Sequence, residues 1–298
     1  MNPKSIITLL SSILITFLPT LTTSQTCHNT CGKLPIKYPF GTGPGCGDPR
    51  FQPYVACTQQ QQLTLSTHTG CYTVTSIDYN TQVVHISDPT MSTCSCTRPS
   101  PGFGLNYDAP FAFHDSTVFA LLDCSTTSSP IYKGNNNSTF PMCDSQGEDI
   151  CGLLNSCDAI SRLSLPISTC CVYAPVDLGP SFEMDLEKLQ CESYSAVYGY
   201  NGQESNPAGW EYGIALKYKF NYKNDYPGLC ASCEKSNGVC GYDCGPSASF
   251  ACNCPGGLNT TTDCFFGQTW SFGSRFFPGK IGIFSVFSST WFVILAFM

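Results

Sequence analysis

The stretch CGKLPIKYPFGTGPGCG, residues 31–47, sets three prolines and five glycines beside two cysteines. Pro35, Pro39 and, just beyond, Pro49 fix φ and remove N–H donors, while the glycines admit φ > 0 and lose more entropy in regular elements. Neither a helix nor a long strand survives that composition, so flanking disulfides must hold the segment where no hydrogen-bond ladder can. Its aromatic residues Tyr38 and Phe40 then either pack as a small core or present rings for sugar stacking.

The surroundings of the stretch point to an oxidising compartment. Residues 1–24 carry Lys4, an apolar run and small closing residues, which reads as a secretory signal peptide. All 21 cysteines follow it, a density that belongs to secreted, disulfide-stabilised modules. The number is odd, which predicts about ten bridges and one thiol or interchain link. The adjacent Cys170 and Cys171 should have separate partners. Sequons at Asn136, Asn137 and Asn259 suit glycosylation in the same compartment.

Residues 266–298 form a spacer and a hydrophobic tail, uncharged after Lys280. With small residues at Ser271 and Gly273, this pattern is that of a glycosylphosphatidylinositol attachment signal at Ser271, or of a single transmembrane helix. Either places the globular part at the outer face of the plasma membrane or in the apoplast. Between leader and tail, 11 Lys and Arg stand against 21 Asp and Glu, a net charge of −10 that excludes nucleic acid as a partner. The local exception is the first segment, where Lys33, Lys37 and Arg50 face only Asp48.

Most of the rest reads as β-structure. LTLS from Leu63, CYTVTSI from Cys71 and QVVHI from Gln82 are short, rich in β-branched residues and separated by turn residues, as in an antiparallel meander. Helical spacing is confined to Ile150, Leu153, Leu154, Cys157 and Ile160, and to Phe182, Leu186 and Leu189 behind Ser181 as a cap. The polar tract 125–140 is the natural linker between a module at 25–124 and a second at 141–265. The expected class is therefore mostly β, built from small disulfide-rich extracellular modules with a few short helices.

In the last third the cysteines Cys230, Cys233, Cys240, Cys244, Cys252, Cys254 and Cys264 end in an EGF-like pattern. A zinc cluster drawn from the first four is the weaker reading in an oxidising compartment. No acidic pair precedes the module to mark a calcium-binding variant. Just upstream, IALKYKFNYK alternates: Ile214, Leu216, Tyr218, Phe220 and Tyr222 share one face, Lys217, Lys219 and Lys223 the other. Two readings of the lysine row are open, protection of an edge strand and a track for a polyanionic sugar chain.

Two segments carry a family resemblance. CHNTCGKLPIKYPFGTGPGCGDPRFQPYVAC, residues 27–57, with its C-x3-C-G, I-x-Y-P-F-G and C-G-x-P-x-F, resembles the galacturonan-binding module of plant wall-associated receptor kinases and their leaf-rust-resistance-kinase-like relatives. WEYGIALKYKFN followed by CASCEKSNGVCGYDCGPSASFACNCPGG resembles the C-terminal associated module of the same ectodomains. No kinase signature occurs, so the resemblance stops at the ectodomain.

The resemblance implies a cell-surface protein that contacts pectin, as homogalacturonan or oligogalacturonide, and serves as a kinase-less co-receptor or decoy. The alternative is a protein-interaction ectodomain for a peptide or receptor partner. No enzyme is expected, since the four histidines are scattered and no named catalytic constellation occurs. No cofactor or resident metal is implied, although calcium could bridge acidic protein and pectate. The candidate ligand residues are Lys33, Lys37, Tyr38, Phe40 and Arg50, with Lys217, Lys219 and Lys223 as a second set.

Overall fold

The computed structural model describes residues 27–132, 143, 148–178 and 183–265. The leader, the tail with Ser271, the sequons at Asn136 and Asn137, and the expected cap Ser181 with Phe182 lie outside them. The strands up to the polar tract are β1 (Thr30–Cys31), β2 (Leu34–Pro35), β3 (Val55–Cys57), β4 (Leu63–Thr67), β5 (Gly70–Asp78), β6 (Val83–Ser87), β7 (Gly102–Gly104), β8 (Phe111–Phe113) and β9 (Val118–Cys124). After it come β10 (Cys171–Tyr173), β11 (Glu183–Asp185), β12 (Cys191–Gly199), β13 (Glu211–Tyr212), β14 (Ile214–Tyr218), β15 (Val239–Tyr242), β16 (Phe250–Asn253) and β17 (Asn259–Thr260). Among the described residues the α-helices are α1 (Glu148–Leu154), α2 (Asp158–Ser161), α3 (Leu186–Leu189) and α4 (Gly228–Lys235).

The meander expected at 63–86 is present as β4, β5 and β6, and it extends into a six-stranded antiparallel sheet of order β3-β4-β5-β6-β14-β8. Alternation sends Leu63, Leu65, Tyr72, Val74 and Ile86 inward, where they meet Ile214, Leu216 and Tyr218, all fully buried. A second sheet, β10-β9-β12-β13, shares this core through Phe119, Leu121 and Tyr194. Phe113 and Phe119 meet edge to face across it, ring centres 5.7 Å apart.

The opposite face of β9 is covered as well. Ala120 and Leu122 pack with Leu154, Cys157 and Ile160 of the α1–α2 region in a separate cluster. Burial on both faces explains why β9 reads VFALLDC, an almost unbroken apolar run, instead of alternating. α3 is shorter than the expected helix, and its cap is Asp185, which accepts from the Lys188 N–H at 3.0 Å.

The expected boundary at 125–140 does not separate two cores. β9 before it pairs with β10 and β12 after it, and β14 is inserted between β6 and β8. Bridges Cys94–Cys157 and Cys124–Cys191 also span the tract. A polar tract marks a surface connection, but only long-range pairing says whether the elements on either side are independent.

Nine disulfides form, with Cys71, Cys96 and Cys244 unpaired, so the expectation of about ten is one bridge too many. Cys170 pairs with Cys151 and Cys171 with Cys143, so these neighbours do have separate partners. Consecutive residues of an extended segment point to opposite sides. At the C-terminal end Cys230–Cys240, Cys233–Cys252 and Cys254–Cys264 join first to third, second to fourth and fifth to sixth, the pairing order of an EGF module. Cys244 stays out of it, and the pairing leaves no zinc thiolates in Cys230, Cys233 and Cys240.

The glycine-rich opening stretch docks on this module through its backbone. Gly47 N–H donates to the Cys240 carbonyl at 3.0 Å, and Tyr242 N–H to that of Gly45 at 3.0 Å. Contact this close requires Gly241, whose added Cβ would lie 2.0 Å from the Gly45 oxygen. Gly241→Val is therefore expected to part the two backbones and cost about 2–4 kcal/mol. Faster proteolysis of residues 230–265 than in the wild type would register the undocking, and an unchanged melting temperature would refute it.

Candidate functional site

The residues of the opening stretch divide sharply by burial. Phe40, a candidate for sugar stacking, is a core residue, 3% exposed, and packs edge to face on Phe51 and Tyr218. It is therefore removed from any ligand surface. Tyr38 is half-buried, stacked on Phe220 at 6.0 Å and edge-on to Tyr226 at 5.8 Å. The Tyr38 hydroxyl donates to Asp48 at 2.8 Å.

Asp48 is the hub of this region. Its buried carboxylate accepts from Arg50 Nε at 3.1 Å, Arg50 Nη2 at 2.7 Å and the Arg50 backbone N–H at 3.0 Å. Burial by itself would raise the Asp48 carboxyl, but the guanidinium, the backbone N–H and the Tyr38 hydroxyl outweigh it and hold it below the usual carboxylate range. Burial first, and then the Asp48 charge, push the Tyr38 hydroxyl up. Arg50 Nη2 also donates to the Phe220 carbonyl, which ties the N-terminal segment to the chain just past β14. The outer edge of the guanidinium stays open, its side chain being 48% exposed.

That link joins the two candidate sets into one place. Arg50, Lys217 and Lys219 line a groove of about 410 Å³ whose floor and far wall are Ala112, Pro110, Pro175 and Val176. Lys217 stands opposite Ala112 in the β14–β8 register, and Lys219 N–H donates to the Pro110 carbonyl at 3.4 Å. A small residue at 112 leaves open the space between the lysine stems and the wall. No acid lines the groove, and the ion pairs among the described residues do not involve Lys217 or Lys219. A larger cleft of about 690 Å³ beside Cys94–Cys157 has Asp158 and Arg162 as its charged lining, so their charges cancel.

Other members of both sets fall outside the groove lining. Lys33 is exposed in the turn joining β1 and β2, and the Lys37 ammonium sits 5.6 Å from the centre of the Tyr79 ring. Lys223 is exposed past the end of β14. Tyr222 breaks the expected alternation and is fully exposed. Lys217 does not guard an edge, because β14 has neighbours on both sides, and Lys219 and Lys223 lie past the end of the strand. Sequence alternation identifies their face but is blind to strand order, and so it could not separate an edge from a centre.

The remaining polar sites are dispersed. His85 Nδ1 lies 2.9 Å from Ser76 Oγ while its ring rests on Tyr198. His114 Nδ1 lies 2.8 Å from Ser116 Oγ. Asn259 is exposed in β17, as a glycan acceptor must be. Among the described residues, no helix is long and apolar enough to cross a membrane.

Residues 27–88 match the family described as "Wall-associated receptor kinase galacturonan-binding". Over 187 residues the chain is 26% identical to wall-associated receptor kinase-like 20 of Arabidopsis thaliana, an alignment covering 61% of this chain and 26% of that one. The chain thus spans about a quarter of the length of this relative. No solved structure matches. The family match falls on the opening stretch and on the first four strands of the six-stranded sheet. With nine bridges, the architecture is that of an extracellular module.

Proposed function

We propose, from the premise of a chain built like the ectodomain of a wall-associated receptor kinase, that this protein binds de-esterified pectic polysaccharide in the groove of Arg50, Lys217 and Lys219. The observation that carries the reading is the convergence of Lys217 and Lys219, which no ion pair among the described residues engages, on a groove without a lining acid in a protein of net charge −10 between leader and tail, with the open edge of the Asp48-paired Arg50 beside them. Lys217 on β14 and Lys219, the first residue past it, are both exposed on either side of buried Tyr218, so a polyuronate laid along this segment brings carboxylates to both ammonium groups. The small apolar floor accepts the ring faces between them. Net charge opposes the ligand at long range, which makes the contact weak and salt-sensitive. Homogalacturonan or an oligogalacturonide in the cell wall has the required chemistry.

The test is direct binding of de-esterified pectin to the purified protein across salt, with and without chelator. Lys217→Gln with Lys219→Gln is expected to weaken binding roughly three- to tenfold at low salt, the gap closing as salt rises. Lys33→Gln with Lys37→Gln should leave affinity unchanged at matched salt. If a chelator abolishes binding by the wild type, calcium is the bridge and the groove reading fails. No binding by the folded wild type would favour a peptide or receptor partner.

The wider role follows the same reading. Held at the cell surface by a lipid anchor at Ser271 or a single span, the protein would act as co-receptor or decoy beside receptor-kinase ectodomains. Release of the protein from intact cells by phosphatidylinositol-specific phospholipase C distinguishes the anchor from the span.

A further inference from the structure

The two most exposed large hydrophobic side chains among the described residues are Tyr222, fully exposed, and Tyr107, 85% exposed. Single exposed apolar residues are ordinary on protein surfaces. Here both belong to turns that feed the same groove. Residues 106–109 form one turn, closed by Ala109 N–H to the Asn106 carbonyl at 3.0 Å, and Ala109 lines the groove. Residues 221–224 form the other, closed by Asn224 N–H to the Asn221 carbonyl at 3.1 Å, and Asn221 lines the groove. In each turn the tyrosine is the second residue.

Both turns are braced. Asn106 Oδ1 accepts from the His68 backbone N–H at 2.9 Å. Asn224 accepts from Phe220 N–H at 3.2 Å and donates to Gln82 Oε1 at 2.6 Å, while Asn221 Nδ2 donates to the Asp225 carbonyl at 2.7 Å. Asn224 takes the left-handed conformation, φ 60°, which asparagine tolerates better than most residues. The backbone beneath each ring is therefore fixed, while the ring itself is left in water. Such an arrangement lowers the ordering cost of a contact made later.

We propose that Tyr107 and Tyr222 are stacking subsites at the margins of the groove, so that the site takes an extended run of sugar rings and not a single uronate. The inference rests on the reading of the groove as a polyuronate site. Carboxylates meet Lys217, Lys219 and the open edge of Arg50 in the middle, and pyranose faces cover the phenol rings beyond. Stacking on an aromatic face needs no charge on the sugar, so this contribution persists in salt that screens the lysines. The two parts of the site are thus separable by experiment.

Calorimetric titration of the purified full chain with galacturonic acid, trigalacturonic acid and long oligogalacturonides reads both. Affinity is expected to rise with length, and Tyr107→Ala with Tyr222→Ala to remove most of that rise, each change weakening long oligomers roughly three- to tenfold. Galacturonic acid itself should bind the variant and the wild type alike. The loss should remain at high salt, where the lysine variant and the wild type converge, and Tyr222→Phe should restore binding because the ring and not the hydroxyl is used. Lysine-dependent binding of long oligomers that the double tyrosine variant leaves unchanged overturns the inference and spares the groove. No binding by the folded wild type overturns both.

Discussion

A fragment ending at Cys124 is expected not to fold. It would keep β3 to β6 but lose β14, the neighbour of β6 and, among the described residues, the only strand paired with β8. Ile214, Leu216 and Tyr218 of β14 are fully buried in the full chain. Each such side chain contributes about 1.5–3 kcal/mol, so the three together approach the whole net stability of an ordinary domain, about 5–15 kcal/mol. β9 would also lose β10 and β12, leaving Phe119 and Leu121 without the Tyr194 side of their core. Amide dispersion and thermal melting of residues 25–124 against the full chain provide the check. A dispersed spectrum with a cooperative melt would show that the first module stands alone after all.

Arg50→Ala is expected to cost about 2–3 kcal/mol, less than a fully buried pair because half the guanidinium side is in water. The loss comes from the partner left behind. Asp48 would keep only the Tyr38 hydroxyl and one backbone N–H in a buried setting, and the Phe220 carbonyl would lose its tie to the N-terminal segment. The pH dependence has a definite sign. Because the Asp48 carboxyl is held low in the folded protein, its contribution is complete above the unfolded value, about 3.9, and is lost as pH falls from there through the lower folded value. Denaturant unfolding of both proteins from neutral pH to below 3 should therefore show the difference shrinking in acid. A difference constant across that range would mean that Asp48 is not the cause. The same experiment guards the binding assay, since Arg50 serves the fold as well as the groove and a loss of affinity in its variant proves little alone.

Much of the architecture was legible because its signals are local. Short alternating β-branched runs announced β4, β5 and β6, and the spacing of Leu154, Cys157 and Ile160 announced a helical cover. Family motifs marked the opening stretch, on which the comparison with known families also falls. α4 was missed, since closely spaced cysteines at Cys230 and Cys233 read as a bridge scaffold whether the backbone between them is helical or not. Lys217 and Lys219 were legible as a face, but not as the lip of a groove.

What the amino-acid order alone determined is a mostly β, disulfide-held chain of extracellular type with a rigid opening loop and cations in two distant segments. Those conclusions rest on composition, period and spacing, which act over a few residues. Tertiary structure alone decided that β14 sits inside the first sheet, that 125–140 divides nothing, and that Cys71, Cys96 and Cys244 have no partner. It also decided that Phe40 is core while Arg50 meets Lys217 and Lys219. Each of these depends on contacts between residues far apart in the chain, whose register is set by mutual burial of whole faces, and no local pattern encodes which faces will meet.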